Sequence, residues 1–354
     1  MKEEKTLGTY DFVRATGRDL YFEARDREIA LLQGPDGGIR PEFAEPVTAC
    51  PVCGGDRFEL WFVKQGFAIR RCLDGECCGH VFADPQIKED VLREAYRGTG
   101  SDEASGRSAN DLWIEVLLSE ANQSYDRSKF QHGVKAIEAA LLTERSGRPR
   151  VLDIGCSIGH FLEVAREAGW DAVGLELNRK AVAHAREVLG LDVREQVLEE
   201  AGFAPATFDA VTMWGVIEHL KRPVETLREI VPLLKPGGVF LTFSPNGASL
   251  VCHVLRDQAA TFDGRNHPSY FTPRSISLAL ELAGFQNLSV SYFQPDLDAL
   301  VNYCEGRDPY IKKAERFGPL YGFLAQTHRR EAEEFILAHG LGYKMMTVSL
   351  KPRP

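Results

Sequence analysis

From residue 150 onward, short apolar runs alternate with stretches whose apolar residues recur at i, i+3 and i+4. RVLDIG (150–155) reads as a strand, and FLEVAREAG (161–169) as a helix closed by Gly169. DAVGLEL (171–177) is a strand, RKAVAHAREVLG (179–190) a helix and FDAVTMW (208–214) a strand. PVETLREIVPLL (223–234) is a helix, and GGVFLTFSPN (237–246) a strand. SISLALELAGF (275–285), NLSVSYF (287–293) and YKMMTVSLKP (343–352) add a helix and two strands. Val-, Leu- and Phe-rich strands between helices predict an α/β fold with a doubly wound parallel sheet.

The amino-terminal part has no such rhythm. Residues 1–45 mix charged and aromatic residues without a clear period, and PDGGIRPEF (35–43) reads as a loop. Lys88–Tyr96 reads as a helix, and GTGSDEASGRSAND (98–111) as a connector. Ile114, Leu117, Leu118, Ala121 and Tyr125 share one helical face, and Phe130–Leu142 reads as a further helix. The expected parts are an extension (1–45), a cysteine module (46–85), a helical connector or cap (86–145) and the α/β domain (146–354). Within that domain, 296–339 is an insertion before the last strand. Its Tyr303, Tyr310, Phe317, Tyr321 and Phe323 either cover a substrate pocket or pack as ordinary helix faces.

The chain has 354 residues, 44% hydrophobic and 26% charged, which is ordinary globular material. It lacks an apolar run long enough to span a bilayer. The amino terminus, MKEEKTLGTYDFVRATGRDLYF, has acidic residues early and no apolar core of a signal peptide. The expected location is cytoplasmic, where cysteines stay reduced. A net charge of −9 counts against a large nucleic-acid footprint.

Cys50-Pro-Val-Cys53-Gly-Gly is a turn whose glycines let backbone amides face two thiolates. Cys72, Cys77 and Cys78 follow. Two such turns set four sulfurs in a tetrahedron, which suits Zn2+. The block resembles a zinc ribbon or a rubredoxin-like knuckle pair. Cys50, Cys53, Cys72 and Cys78 are the expected ligands, with Cys77 the alternative fourth. An all-thiolate site is closed, so the zinc is read as structural. The module's basic residues (Arg57, Lys64, Arg70, Arg71) do not outnumber its acidic ones (Asp56, Glu59, Asp74, Glu76, Asp84). That is no stripe for RNA.

VLDIGCSIGHFL (151–162) is a strand, a tight turn and a helix start, at the carboxyl edge where open sheets bind ligands. The next strand ends in Glu176, whose carboxylate can accept both hydroxyls of a ribose. From about 130 to 295 the chain resembles class I S-adenosylmethionine-dependent methyltransferases. VLDIGCSIG matches their first motif, GLELN the acidic end of the second strand, FDAVTMWGVIEHL the fourth strand and LLKPGGVFLTFSPN the fifth. With a cysteine knuckle pair ahead of it, the chain resembles sugar methyltransferases of deoxysugar biosynthesis.

The resemblance implies S-adenosylmethionine as cofactor. Asp153 would anchor the loop and the methionine amine, and Gly155, Cys156 and Gly159 would line methionine and ribose. Glu176 would take the ribose hydroxyls, and Trp214 and Gly215 would wall the sulfonium. Two departures stand out. Ser157 replaces the middle glycine, and Gln196 stands where an acidic residue usually holds the adenine amine.

Methyl transfer from a sulfonium needs alignment and often a base. His219, in VIEHL, and His267, in RNHPSYFT, are the candidates. The second stretch resembles a segment that supplies a Glu-His pair in sugar C-methyltransferases, but Asn266 replaces the glutamate. That shifts the expected acceptor to an oxygen or nitrogen of a small polar molecule, a sugar or nucleotide-linked sugar. A sugar C-methyltransferase, or an enzyme acting on RNA or protein, is the alternative.

Overall fold

A computed structural model describes residues 15–74, 78–97, 108–141, 147–310 and 318–353. The expected connector at 98–111, and Phe317, lie largely or wholly outside them. The α/β part is built on seven strands: β6 Arg150–Ile154, β7 Asp171–Leu175, β8 Asp192–Arg194, β9 Phe208–Trp214, β10 Leu234–Pro245, β12 Gln286–Phe293 and β13 Lys344–Leu350. They stand in the order β12-β13-β10-β9-β6-β7-β8. The strands from β10 to β8 run parallel, whereas β13 is antiparallel to β10 and β12 antiparallel to β13.

The near-continuous apolar reading of β9 has a plain cause: helices cover both faces of the sheet. On one face Phe130, Val134 and Ile137 of the Glu120–Ala140 helix meet Phe161 and Leu162 of the His160–Glu167 helix. On the other, Val224, Leu227 and Ile230 of Pro223–Leu233 meet Ile276 and Leu280 of Pro273–Ala283. Arg179–Ala183 is α-helical and widens into a π-turn at His184–Val188, so that stretch is less regular than its pattern implies.

Two expectations are corrected. Residues Arg18–Leu32 form a helix within the segment that shows no period. Its buried positions are Ala24, Ile29 and Arg25, and a charged residue on the inner face hides the apolar repeat. Next, Ile114 to Tyr125 do not share one helix. Ala109–Leu118 stops at Ser119, which is extended (φ −66°, ψ 141°) and donates its hydroxyl to the Val116 carbonyl at 2.7 Å. The following helix, Glu120–Ala140, runs unbroken from the end of the first expected piece through most of the second. In the insertion, Tyr303, Tyr310 and Tyr321 pack against a buried cluster, while Phe323 is exposed.

The cysteine segment carries β2 Phe58–Lys64, β3 Phe67–Cys72 and β4 Val81–Asp84. Their sheet is completed from far along the chain. β11, Ser269–Tyr270, pairs with β4, in the order β11-β4-β3-β2. Two short strands, β1 Ala44–Glu45 and β5 Gln86–Ile87, close the segment's base. Phe82 shares a core with Phe271, Ile276 and Leu280.

Candidate active site

The carboxyl ends of β6, β7 and β9 converge. After Ile154 the backbone turns through positive φ at Gly155 (70°), Ser157 (48°) and Gly159 (87°). The amides of Gly155 and Cys156 both donate to the Leu175 carbonyl, at 2.8 and 2.9 Å. A Cβ at Gly155 would overlap Val216, so only glycine fits that close approach. Ser157 keeps the left-handed backbone a glycine would take, at a cost of roughly 1–2 kcal/mol. Its amide donates to Glu176 Oε2 at 2.9 Å.

Glu176 also accepts from the amides of Leu177 (2.8 Å) and Asn178 (2.7 Å). Burial raises its carboxyl above the usual range, against the pull of those three amides. Asp153 Oδ1 accepts from Thr212 Oγ1 at 2.7 Å, and burial pushes its carboxyl up to about 8. Cys156 packs against Gly174, and burial pushes its thiol up, so it is no thiolate. Gln196 lies in a bend just beyond β8, half-buried.

Trp214 ends β9. Its ring packs on Phe130 (4.9 Å between centroids) and Phe161 (5.2 Å), over the bare Gly133 of the Glu120–Ala140 helix. Its buried Nε1 has no acceptor among the described residues. Lys129 Nζ pairs with Asp126 at 2.7 Å and lies 5.8 Å from the Trp214 ring centre. A turn whose Cβ space is filled, an orphaned indole N–H and a rim carboxylate fit a nucleoside cofactor with an amino-acid tail.

His219 and His267 come together, ring centroids 4.7 Å apart. His219 closes a single turn, Ile217–His219, and its Nδ1 lies 2.8 Å from the Asn266 carbonyl and 2.9 Å from the Tyr96 hydroxyl. His267 Nδ1 lies 2.9 Å from the Thr261 carbonyl. A carbonyl only accepts, so each Nδ1 carries a proton and each Nε2 is the basic nitrogen. Burial, then His219, holds His267 down at about 3, while Asp263 opposes both. The ring is therefore neutral near pH 7. Glu218 is buried beside them with Oε2 unpartnered, and the ligand atoms of Glu218, His219 and His267 lie within 4.8 Å of one another. That donor set could also hold a divalent cation.

The loop bearing His267 is fixed by charge. Asp263 accepts from the Arg265 and Asn266 amides, both 3.2 Å, and from Asn266 Nδ2 at 2.8 Å. Arg25 Nε lies 3.6 Å from Asp263, and Arg265 pairs with Glu28 at 2.5 Å. Asn266, which departs from the Glu-His pattern, thus serves the loop's own structure.

Cys50, Cys53, Cys72 and Cys78 place their sulfurs within 4.8 Å of one another, with Cys50–Cys78 and Cys53–Cys72 at 3.5 Å. These separations are too long for disulfides, at about 2.05 Å. They approach the roughly 3.8 Å of a tetrahedron with Zn–S of about 2.3 Å. The backbone amides of Val52 and Cys53 favour the thiolate of Cys50, that of Asp74 the thiolate of Cys72 and that of His80 the thiolate of Cys78. Donors aimed at sulfur suit thiolates. Cys77 lies outside the described residues, Cys252 is buried and Cys304 exposed.

Sequence reasoning passed over Lys129, Glu218 as a donor, Asp263 and Lys344. Only Glu218, next to His219, carries a local signal. The others meet the site through folding across distant segments.

Residues 123–290 match the family described as Methyltransferase domain, Methyltransf_23. The ubiquinone biosynthesis O-methyltransferase of Ralstonia nicotianae is 33% identical over 193 residues, 51% of this chain and 71% of that protein. Its counterpart in Methylococcus capsulatus is 29% identical over 219 residues, 54% of this chain and 91% of that protein. Among solved structures, a SAM-dependent methyltransferase from Archaeoglobus fulgidus is 21% identical at a TM-score of 0.44, covering 64% of this chain and 94% of the other. With those sequence matches, the chain belongs to the class I S-adenosylmethionine-dependent methyltransferases. It is an enzyme of that class, and S-adenosylmethionine is its cofactor.

Proposed function

We propose that the enzyme methylates an oxygen of a small hydroxylated acceptor, with His267 as the base and a structural zinc in the four-cysteine cluster. The histidine pair at the carboxyl edge, each ring oriented by a backbone carbonyl, carries this reading. S-adenosylmethionine supplies the methyl group as a sulfonium. The acceptor oxygen bonds to the methyl carbon as the carbon–sulfur bond breaks, and S-adenosylhomocysteine leaves. The hydroxyl proton passes to Nε2 of His267, and Asp263 offsets part of the burial that disfavours the resulting imidazolium. Glu176 takes the ribose hydroxyls, Asp153 the methionine ammonium and Lys129 the methionine carboxylate. Gln196 meets the adenine amine, while Trp214 and Gly215, with Cys156 and Gly159, line the cofactor.

Two observations bear on the acceptor. The relatives in Ralstonia nicotianae and Methylococcus capsulatus are named as O-methyltransferases, which favours oxygen over nitrogen and carbon. The cysteine module ahead of the methyltransferase part supports a sugar or nucleotide-linked sugar, through the resemblance it carries. Four thiolates leave a zinc ion no open position, so the metal would shape the fold and take no part in the transfer.

The test is product mass. The enzyme is incubated with S-adenosylmethionine and either dTDP-glucose or 3,4-dihydroxybenzoate. A product heavier by one methylene, formed with stoichiometric S-adenosylhomocysteine and lost in His267→Ala, supports the reading. A methylated carbon, or full activity of the variant, overturns it.

A further inference from the structure

Lys344 opens β13, opposite Pro245 of β10 and Phe293 of β12. That register sets it at the carboxyl edge of the parallel strands, the edge that also carries Gly155, Glu176 and Trp214. The side chain is half-buried. Among the described residues no hydrogen bond or ion pair reaches its ammonium, and the contact it makes is with the Tyr343 ring, 5.3 Å from its centre. Lys129 is different, since its ammonium is paired with Asp126 at 2.7 Å.

The surroundings sharpen the contrast. Burial pushes the Lys344 ammonium down to about 8; the charge of Glu218 opposes this, and those of Arg18 and Lys129 add to it. The field of Lys344 in turn reaches His267. The lysine thus lies within electrostatic reach of His267 and of two other cations. Taking a cation partly out of water with no carboxylate at ion-pair distance is costly, and the structure tolerates it where something else supplies the contact. The cofactor's own carboxylate has Lys129.

The geometry points to an anionic acceptor: a carboxylate or phosphate group seated on Lys344, with Arg18 adding charge, while the acceptor's hydroxyl is set against His267. This rests on the O-methylation reading above and names the chemical class of its substrate. Recognition of the oxyanion end would fix the distance from charge to methylated oxygen, and so select which hydroxyl reacts.

The test uses the full-length protein loaded with S-adenosylhomocysteine, titrated in a calorimeter with matched pairs. The carboxylate pair is 3,4-dihydroxybenzoate and its neutral methyl ester. The phosphate pair is α-D-glucose 1-phosphate and methyl α-D-glucoside, and inorganic pyrophosphate is a bare anion probe. In at least one pair the anion is expected to bind at least about tenfold more tightly than its neutral partner, about 1.4 kcal/mol. Lys344→Met should erase that preference and Lys344→Arg retain it, with S-adenosylhomocysteine affinity unchanged in both. Which pair shows the preference tells carboxylate from phosphate. Equal binding of neutral and anionic partners, no binding of any anion by the loaded wild type at millimolar concentration, or an intact preference in Lys344→Met overturns the proposal. Failure of the methyl-transfer reading shows elsewhere, as full activity in His267→Ala.

Discussion

Phe67 of the cysteine segment lies directly over Gly264 of the His267 loop, so close that a Cβ at 264 would overlap its ring. The same two segments are stitched by backbone. The Ala83 amide donates to the Pro268 carbonyl at 3.1 Å, and Phe82 pairs with Ser269 across β4 and β11. The cysteine cluster sits at the other end of β3 and β4, so two strands connect it to the His267 loop.

Cys53→Ser should therefore lower zinc content, destabilise the protein by on the order of 3 kcal/mol or more and reduce kcat further than it reduces cofactor affinity. Zinc assay, thermal unfolding and steady-state kinetics on one preparation check this. Gly264→Ala should cost about 1–3 kcal/mol through overpacking, and Phe67→Leu should relieve part of it in the double variant. Additive effects would show that the two segments are not coupled.

Asp153 gives a pH signature. Its carboxyl is raised from an ordinary 3.8 to about 8 by burial, against the Thr212 hydroxyl. Between those values the folded chain holds a proton that the unfolded chain has released. Its contribution to stability is thus full below about pH 4 and lost as pH rises through about 8. Unfolding midpoints of the wild type should fall across that window relative to Asp153→Asn. If Asp153 takes the methionine ammonium, cofactor binding at pH 7 should also release a proton, seen as a dependence of the binding heat on buffer ionisation enthalpy.

His267→Ala should lower kcat by roughly 10²–10⁴, the usual worth of a positioned base, while S-adenosylhomocysteine affinity stays within about twofold. Asp263→Asn is a positioning change. It should lower kcat and shift the pH–rate profile, because it removes both the charge beside His267 and the ion pair with Arg25 that helps hold the loop. An unchanged profile in Asp263→Asn would leave that residue a purely structural role.

Much of this was legible in the chain. VLDIGCSIG and Glu176 declare themselves because glycines and a strand-end carboxylate are local demands of one turn. CPVCGG does so because two sulfurs must share one knuckle. Arg18–Leu32 was not legible, since its inner face carries Arg25, whose partner Asp263 lies more than two hundred residues on. The break at Ser119 hides because the apolar spacing runs straight through a serine that only its backbone angles mark. Lys344 reads as the ordinary start of a strand. Its isolation is a property of what surrounds it after folding.

The most direct measurement is calorimetric binding of S-adenosylhomocysteine to zinc-assayed wild type and Glu176→Ala. Glu176 accepts three amides and is proposed to take the ribose hydroxyls, so the wild type is expected to bind. A loss of about tenfold to a hundredfold is expected in the variant, with the four-cysteine site still holding one zinc. A folded, zinc-loaded wild type that binds no S-adenosylhomocysteine, or a variant that binds it equally well, would contradict this.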